Sequence, residues 1–257
     1  MSEELRKRVS EIFARHRSVR HFLKRPLEPR DLEVILAAAR RASTDASAQM
    51  YAFLRITDAA LRERMAVLAG DQQHIRDAAE YYVVCVDVHR LRRLVEHRGG
   101  VAGLGSRIAL IYGTLDAGLA AENLAVAAEA LGYGVCFIGG VQDALDDIAR
   151  ALHLPRGVMP VCGLCIGVPA PERYPPEPRP RLPLSAVVHE NRYRDYGEQE
   201  LAACYEAMSK SGKKKRRDWY EVLGEYFAAG GIMSRREAVI ARAWIQQGLE
   251  PEEENKK

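Results

Sequence analysis

From Ile108 to Leu131 the chain reads IALIYGTLDAGLAAENLAVAAEAL, with alanine and leucine around every side of a helix, and this run restricts the fold more than any other. A helix that is apolar all round has to be covered all round, so the run predicts a central, buried helix. Gly132 closes it, as glycine does at a helix end. A single copy of 257 residues built in layers cannot cover such a helix on every side, which predicts an obligate dimer.

The segments around this helix supply layers to pack against it. Residues 3–15 predict a charged amphipathic helix with Leu5, Val9, Ile12 and Phe13 at helical spacing. HRSVRHF then runs extended towards Pro26. A second helix, LEPRDLEVILAAARRA, tolerates Pro29 in its first turn. The polar turn STDASAQ leads to the strand MYAFLRIT, and Asp58 caps a helix that Gly70 ends. A short helix at QQHIRDAAE, the doubly buried strand YYVVCVDV and the basic helix HRLRRLVEHR follow. Beyond the central helix come the strand GVCFI, broken by Gly139-Gly140, the helix ALDDIARALHL and the strand VCGLCIGV. Residues 169–183 hold seven of the twelve prolines and should be extended without regular structure. Residues 196–250 predict three helices. The fold class is α+β, a mixed sheet covered by helices, with a core over 1–195 and a helical extension over 196–257.

Composition excludes several classes of function. No stretch approaches the roughly 18 apolar residues of a membrane span, and MSEELRKRVSEIF has no apolar core of a signal peptide. The expected location is the cytoplasm. A net charge of +3 is too small to argue for nucleic acid. Basic residues cluster at Arg15–His21, Arg90–Arg98 and Lys210–Arg217, a pattern that suits a small anionic ligand. Five cysteines do not form a disulfide framework. Cys162 and Cys165 make a CxxC inside a strand, where positions i and i+3 face opposite ways, so two core thiols are expected.

Four constellations could bind a ligand. Arg15–His21 packs three arginines, two histidines and a serine into seven residues, and in an extended segment His16, Ser18 and Arg20 share a face. Bases at this place also complement the end of the preceding helix. Ser43, Thr44 and Asp45 follow the second helix, where small hydroxyls can serve a phosphate or polyol or simply make a turn. Ile138, Gly139 and Gly140 end a strand, and glycines there let a flat ligand approach the backbone. Arg179 and Arg181 flank Pro180 as a phosphate clamp or a solvated basic linker. Gly132 and Gly134 close a helix and open a strand, the reverse of a dinucleotide fingerprint. There is no nucleophile–base pair, metal spacing or carboxylate dyad. An enzyme with this inventory would leave the chemistry to a cofactor, with no catalytic side chain of its own.

These motifs, in order, resemble the oxygen-insensitive NADPH nitroreductase and flavin reductase P branch of the nitroreductase family. The carriers are HRSVRHF, LEVILAAARRAS, FLRITDAALRERM, GDQQHIRDAAEYYVVC, AAENLAVAAEALGYGVCFIGG, VMPVCGLCIGVP, PRPRLP and VVHENRY, spanning about residues 10 to 196. The resemblance implies an intertwined homodimer with FMN held noncovalently at two interface sites. It implies that His16, Arg17, Ser18 and Arg20 meet the flavin phosphate, ribityl chain and ring edge. Ser43, Thr44 and Asp45 would lie near the cofactor, Gln72 beside the ring, Ile138, Gly139 and Gly140 against it, and Arg179 and Arg181 as the clamp. Two positions depart from the family pattern. Arg179 is usually lysine, and the family's run of serines is here STDAS, which brings the acid of Asp45 towards a phosphate.

The resemblance also implies a ping-pong, two-electron transfer from NADPH to small acceptors such as nitroaromatics and quinones, in one cleft. The NADPH 2′-phosphate needs cations, and Arg216 and Arg217 in the loop Lys213–Arg217 are expected to supply them. Reduction of free FMN is the alternative within the same class. A basic nucleic-acid-binding module is the alternative from another class, and no nucleic-acid motif accompanies its charge.

Overall fold

The computed structural model describes residues 2–103, 106–209 and 218–249. Helix α1 (Glu3–Ala14) starts where the Ser2 hydroxyl accepts the Leu5 N–H, and α2 (Pro29–Ala39) carries its proline in the first turn. Strand β1 (Tyr51–Arg55) leads to α3 (Ala59–Leu68), capped by Asp58, which accepts the Leu61 N–H at 2.7 Å. Then follow α4 (Gln73–Asp77), β2 (Glu80–Asp87) and α5 (His89–His97). The central run opens with one helical turn, α6 (Ser106–Ile108), passes through a π turn over Ala109–Gly113, and continues as α7 (Thr114–Ala130). Next come β3 (Gly134–Ile138), α8 (Leu145–Ala151), β4 (Val158–Gly167), α9 (Glu198–Ser209), α10 (Trp219–Phe227) and α11 (Ile232–Gln246).

The four strands form one sheet in the order β1-β2-β4-β3, and every pairing between them is antiparallel. Its parallel component is a single bridge, Ser18 to Val135, made by the HRSVR segment beside β3. Every residue of β2 is buried, because both faces of the sheet are covered. Tyr82 and Val84 pack with α2 and α7, while Tyr81 and Val83 pack with α3, α4 and α8. A bulge between Val84 and Cys85 breaks the alternation and puts Cys85 and Val86 in the same layer. Cys165 faces the α3 side and Cys162 packs on the α7 side, so the CxxC is split across the sheet as its spacing predicts. All five cysteines are free, and burial pushes the Cys162 thiol up to about 12.

The central helix is only half covered in one copy. Ala117, Ala120, Ala121, Leu124, Ala125 and Ala128 are buried against α2 and the sheet. Leu110, Ile111, Leu115 and Leu119 face outwards, with Ile111 61 % exposed. Burial on all sides, which the composition predicts, therefore does not hold within a single chain. The buried face also carries an acid, Asp116, whose exposure is 0 %.

By their internal contacts the residues divide into two compact units. One comprises the chain up to Pro175 together with the residues from Ala238 onwards; the other is Pro176–Glu237. The break falls in the proline-rich run. The chain end returns to the first unit because Ala243 and Leu249 are buried in its core and Arg242 pairs with Asp146 at 2.6 Å. Within the second unit, Asp218 caps α10 and Tyr205 meets the rings of Trp219 and Tyr220 edge-on.

Candidate functional site

The HRSVR segment is held against β3 by the Val19 N–H, which donates to Val135 O at 2.8 Å. Val19 is buried, and Gly134 makes room for it: a Cβ there would lie 2.8 Å from Val19 Cβ. This docking decides where the neighbouring side chains go. Arg20 is exposed, Arg17 and Ser18 are half-buried, and the Arg17 guanidinium lies 5.5 Å from the Tyr174 ring centre.

The two guanidiniums are short of partners. Arg17 Nη1 donates to Arg15 O at 2.8 Å and Arg20 Nη1 to Ser18 O at 3.4 Å. Arg17 Nε is buried with no partner at all. Among the described residues no carboxylate pairs with either, whereas Arg55, Arg76 and Arg242 all engage acids. Two uncompensated guanidiniums and an orphaned N–H on one short segment suit a bound phosphate or similar anion.

His16 is placed differently from its two alternation partners. Its Nδ1 stands 3.1 and 3.2 Å from the Glu129 carboxylate, at the end of α7, and the same carboxylate accepts the Arg17 N–H at 3.4 Å. The ring is thus engaged inside the chain, and Glu129 fixes the entry of the segment.

Gln72 and the glycines meet at the end of β3. Gln72 precedes α4, and its Nε2 donates to Ala69 O at 2.5 Å. A Cβ on Gly140 would lie 2.6 Å from that Nε2 and would also strike Ala69 O. Gly140 is therefore glycine because the protein's own 69–72 turn passes over it. Gly139 is exposed and Ile138 buried, so Gly139 is the one left open to a ligand. His74, two residues beyond Gln72, is buried with Nε2 unpartnered. Burial first, then Arg20 and His21, hold its imidazole below the usual range, against the pull of Asp77.

The turn with Ser43, Thr44 and Asp45 belongs to the other edge of the sheet. It precedes β1, and Ser43 and Asp45 are exposed. Three strand spacings, roughly 14 Å, separate β1 from β3. The chain thus brings Arg17, Ser18, Arg20, Gln72, Ile138, Gly139 and Gly140 to one edge and leaves the hydroxyl turn at the opposite one. In the second unit Arg179 and Arg181 are both exposed, and Arg181 Nη1 donates to Arg179 O at 3.1 Å and Pro180 O at 3.2 Å. Arg216 and Arg217, with the rest of the lysine-rich loop, lie outside the described residues.

The pattern of charges and glycines above left Asp116, Glu129 and His74 unassigned. Asp116 alone carries a signal in the sequence, as the one charged residue between Ile108 and Ala121.

Comparison with known proteins agrees in order and extent with these elements. Residues 13–168 match the nitroreductase family, and residues 179–249 match the nitroreductase family, C-terminal domain. The chain is 38 % identical over 227 residues to a Salmonella typhimurium protein named oxygen-insensitive NADPH nitroreductase, covering 88 % of this chain and 85 % of that one. It is 34 % identical over 185 residues to a Bacillus subtilis protein named FMN reductase (NADPH), covering 71 % and 73 %. The crystal structure of nitroreductase A from Vibrio parahaemolyticus superposes with a TM-score of 0.72 at 32 % identity, covering 79 % and 84 %. A sheet flanked by α2 and α7, a basic segment docked on β3 and matches spanning both parts of the chain lead to one assignment: this protein belongs to the nitroreductase family.

Proposed function

We propose that the chain is an FMN-dependent, NADPH-using oxidoreductase that reduces small acceptors such as nitroaromatics and quinones by two-electron, ping-pong transfer. The observation that carries this reading is the pair of guanidiniums, Arg17 and Arg20, that no carboxylate engages among the described residues, on the same sheet edge as Gln72 and the open Gly139. Bound flavin supplies the hydride chemistry, which no side chain here provides. The residues bind and orient it. Arg17, Ser18 and Arg20 face the phosphate, the ribityl chain and the anionic ring edge, with His16 holding the segment through Glu129. Gln72, Ile138, Gly139 and Gly140 form the seat of the ring, and Ser43, Thr44 and Asp45 serve the polar chain. Arg179 and Arg181 add a clamp for phosphate, and Arg216 and Arg217 read the 2′-phosphate of NADPH. Protons come from solvent in an open cleft.

The working form is an intertwined homodimer in the cytoplasm. The outward apolar face of the central helix supports the dimer. Among the described residues no helix is long and apolar enough to cross a membrane. Reduction of free FMN is the second reading, favoured by the likeness to the Bacillus subtilis FMN reductase (NADPH).

Purified protein should be yellow and should turn over with NADPH against a panel of nitro compounds, quinones and free FMN. Highest kcat/KM for free FMN would select the second reading. Protein that takes up no flavin would remove both.

A further inference from the structure

The turn from Ser43 to Met50 is held in a shape its residues would not choose. Ala46, Ser47 and Gln49 have φ of 47°, 57° and 54°. None is glycine, asparagine or aspartate, the types that enter this left-handed region with least strain. Such a backbone persists only where its surroundings over-determine it.

Two side chains do so here, from opposite sides. Asp116, fully buried on α7, accepts the Asp45 N–H on Oδ1 at 3.0 Å and the Met50 N–H on Oδ2 at 2.9 Å. One carboxylate thus pins both ends of the strained stretch. Arg90, at the start of α5, donates through Nη2 to the carbonyls of Gln49 and, at 2.8 Å, Tyr51. It is itself aligned by Asp87, which accepts the Arg90 N–H at 2.9 Å and whose own N–H donates to Met50 O at 3.0 Å. The helix can come this close because Gly113 has no side chain: a Cβ there would lie 2.6 Å from Val86 Cγ1 and 3.6 Å from Met50 O.

We infer that Asp116, assisted by Arg90, is the positioning residue that preforms the Ser43–Asp45 turn for the cofactor. The inference rests on the reading of the protein as an FMN enzyme. Asp116 is fully buried and acts through the backbone of the turn. The buried carboxylate accepts from the Asp45 and Met50 N–H groups and so fixes the Asp45 end of the turn before FMN arrives, and binding does not have to order it.

The test measures FMN affinity of the dimer by quenching of flavin fluorescence, beside the melting temperature of the apo-protein. D116N keeps the size of the side chain but turns one oxygen into a donor facing an N–H. It should weaken FMN at least tenfold, leave kcat of the flavin-saturated enzyme within twofold and speed hydrogen exchange at the Asp45 and Met50 amides. A46G relieves one left-handed position, and in the D116N background it should recover at least threefold in affinity. R90Q, at a half-exposed site, should weaken FMN at least threefold and carries the test if D116N does not fold. Affinities of D116N and R90Q within twofold of wild type would overturn the inference. So would an affinity loss that follows the melting temperature and that A46G does not recover. A wild-type protein that binds no FMN would overturn the functional reading itself, and the inference with it.

Discussion

Arginine is abundant in this chain, and its partners separate structural from binding roles. Arg55 makes two 2.6 Å bonds to Glu80, whose carboxylate also accepts from Tyr82, a partly buried network that ties β1 to β2. Arg62 donates to the carbonyls of Ile56 and Ala78 and joins α3 to the sheet. Arg20 does no comparable work, since its one bond is a 3.4 Å contact to Ser18 O two residues away. Removing it should leave the fold intact and weaken FMN by about 1.5–3 kcal/mol, the range for hydrogen bonds to charged groups. Titration of apo-R20A with FMN checks this, and an affinity equal to wild type would remove Arg20 from the site. His74 gives a pH prediction. Its folded pKa lies below its unfolded one, so between the two values the unfolded chain binds the extra proton. Stability of the apo-protein should be fully present above about pH 6.5 and should fall as pH drops towards the folded pKa. Arg20 and His21 add to the lowering and Asp77 opposes it, and the H74Q variant should show a shallower loss in urea titrations across pH 5–7. At this scale the sequence is legible where donors are dense, as in HRSVR. Asp116 was not legible as a positioning residue, because its partners lie 71 and 66 positions away and are backbone groups that leave no mark on composition.

Elements were legible to the extent that periodicity and caps define them. Asp58, Gly70, Pro29 and Gly132 end or begin helices where local rules put them. The bulge at Val84/Cys85 and the π turn at Ala109–Gly113 were not, because the first answers to the partner strand β4 and the second is packed through Gly113 against Val86 of β2, both distant in sequence. Nor was the return of the chain end to the first unit, which depends on where Ala243 and Leu249 find cover. The docking of the HRSVR segment on β3 is the element-scale feature with most bearing on the site. It needs glycine at 134, since a Cβ would meet three carbons of Val19 at 2.8–2.9 Å. Overpacking a tight site of this kind costs about 1–3 kcal/mol, so G134A should lose that much in urea unfolding. It should also weaken FMN, because Arg17, Ser18 and Arg20 move with the segment. Pairing G134A with V19A removes two of the three carbons the added methyl would meet, leaving the Cβ contact, and should restore part of both losses. FMN affinity unchanged in a destabilised G134A would mean that the docking does not set the site.

At the scale of the whole molecule the unfinished surface is the central helix. Leu110, Ile111, Leu115 and Leu119 lie exposed along it, and α1 adds Leu5, Val9 and Phe13, the last 62 % exposed. None of the residues of α1 is buried in a single copy, although their spacing makes one apolar stripe. Exposed apolar side chains in a row along one helix call for cover, and two-fold pairing of identical patches is the commonest way to give it. The arrangement of the candidate site asks for the same thing. The hydroxyl turn and the arginines lie at the two edge strands, roughly 14 Å apart within one copy, so on the proposed reading a second copy would complete either half. Sedimentation at low micromolar concentration should therefore show one species near twice 28.7 kDa. I111E places a charge in the middle of the exposed face without touching the buried one, so the chain should still fold. The dimer should dissociate at least tenfold more readily, about 1.4 kcal/mol, and flavin should be lost in parallel, because each copy would retain only half of its contacts. A folded I111E monomer that keeps FMN at wild-type affinity would show that one chain builds the whole site.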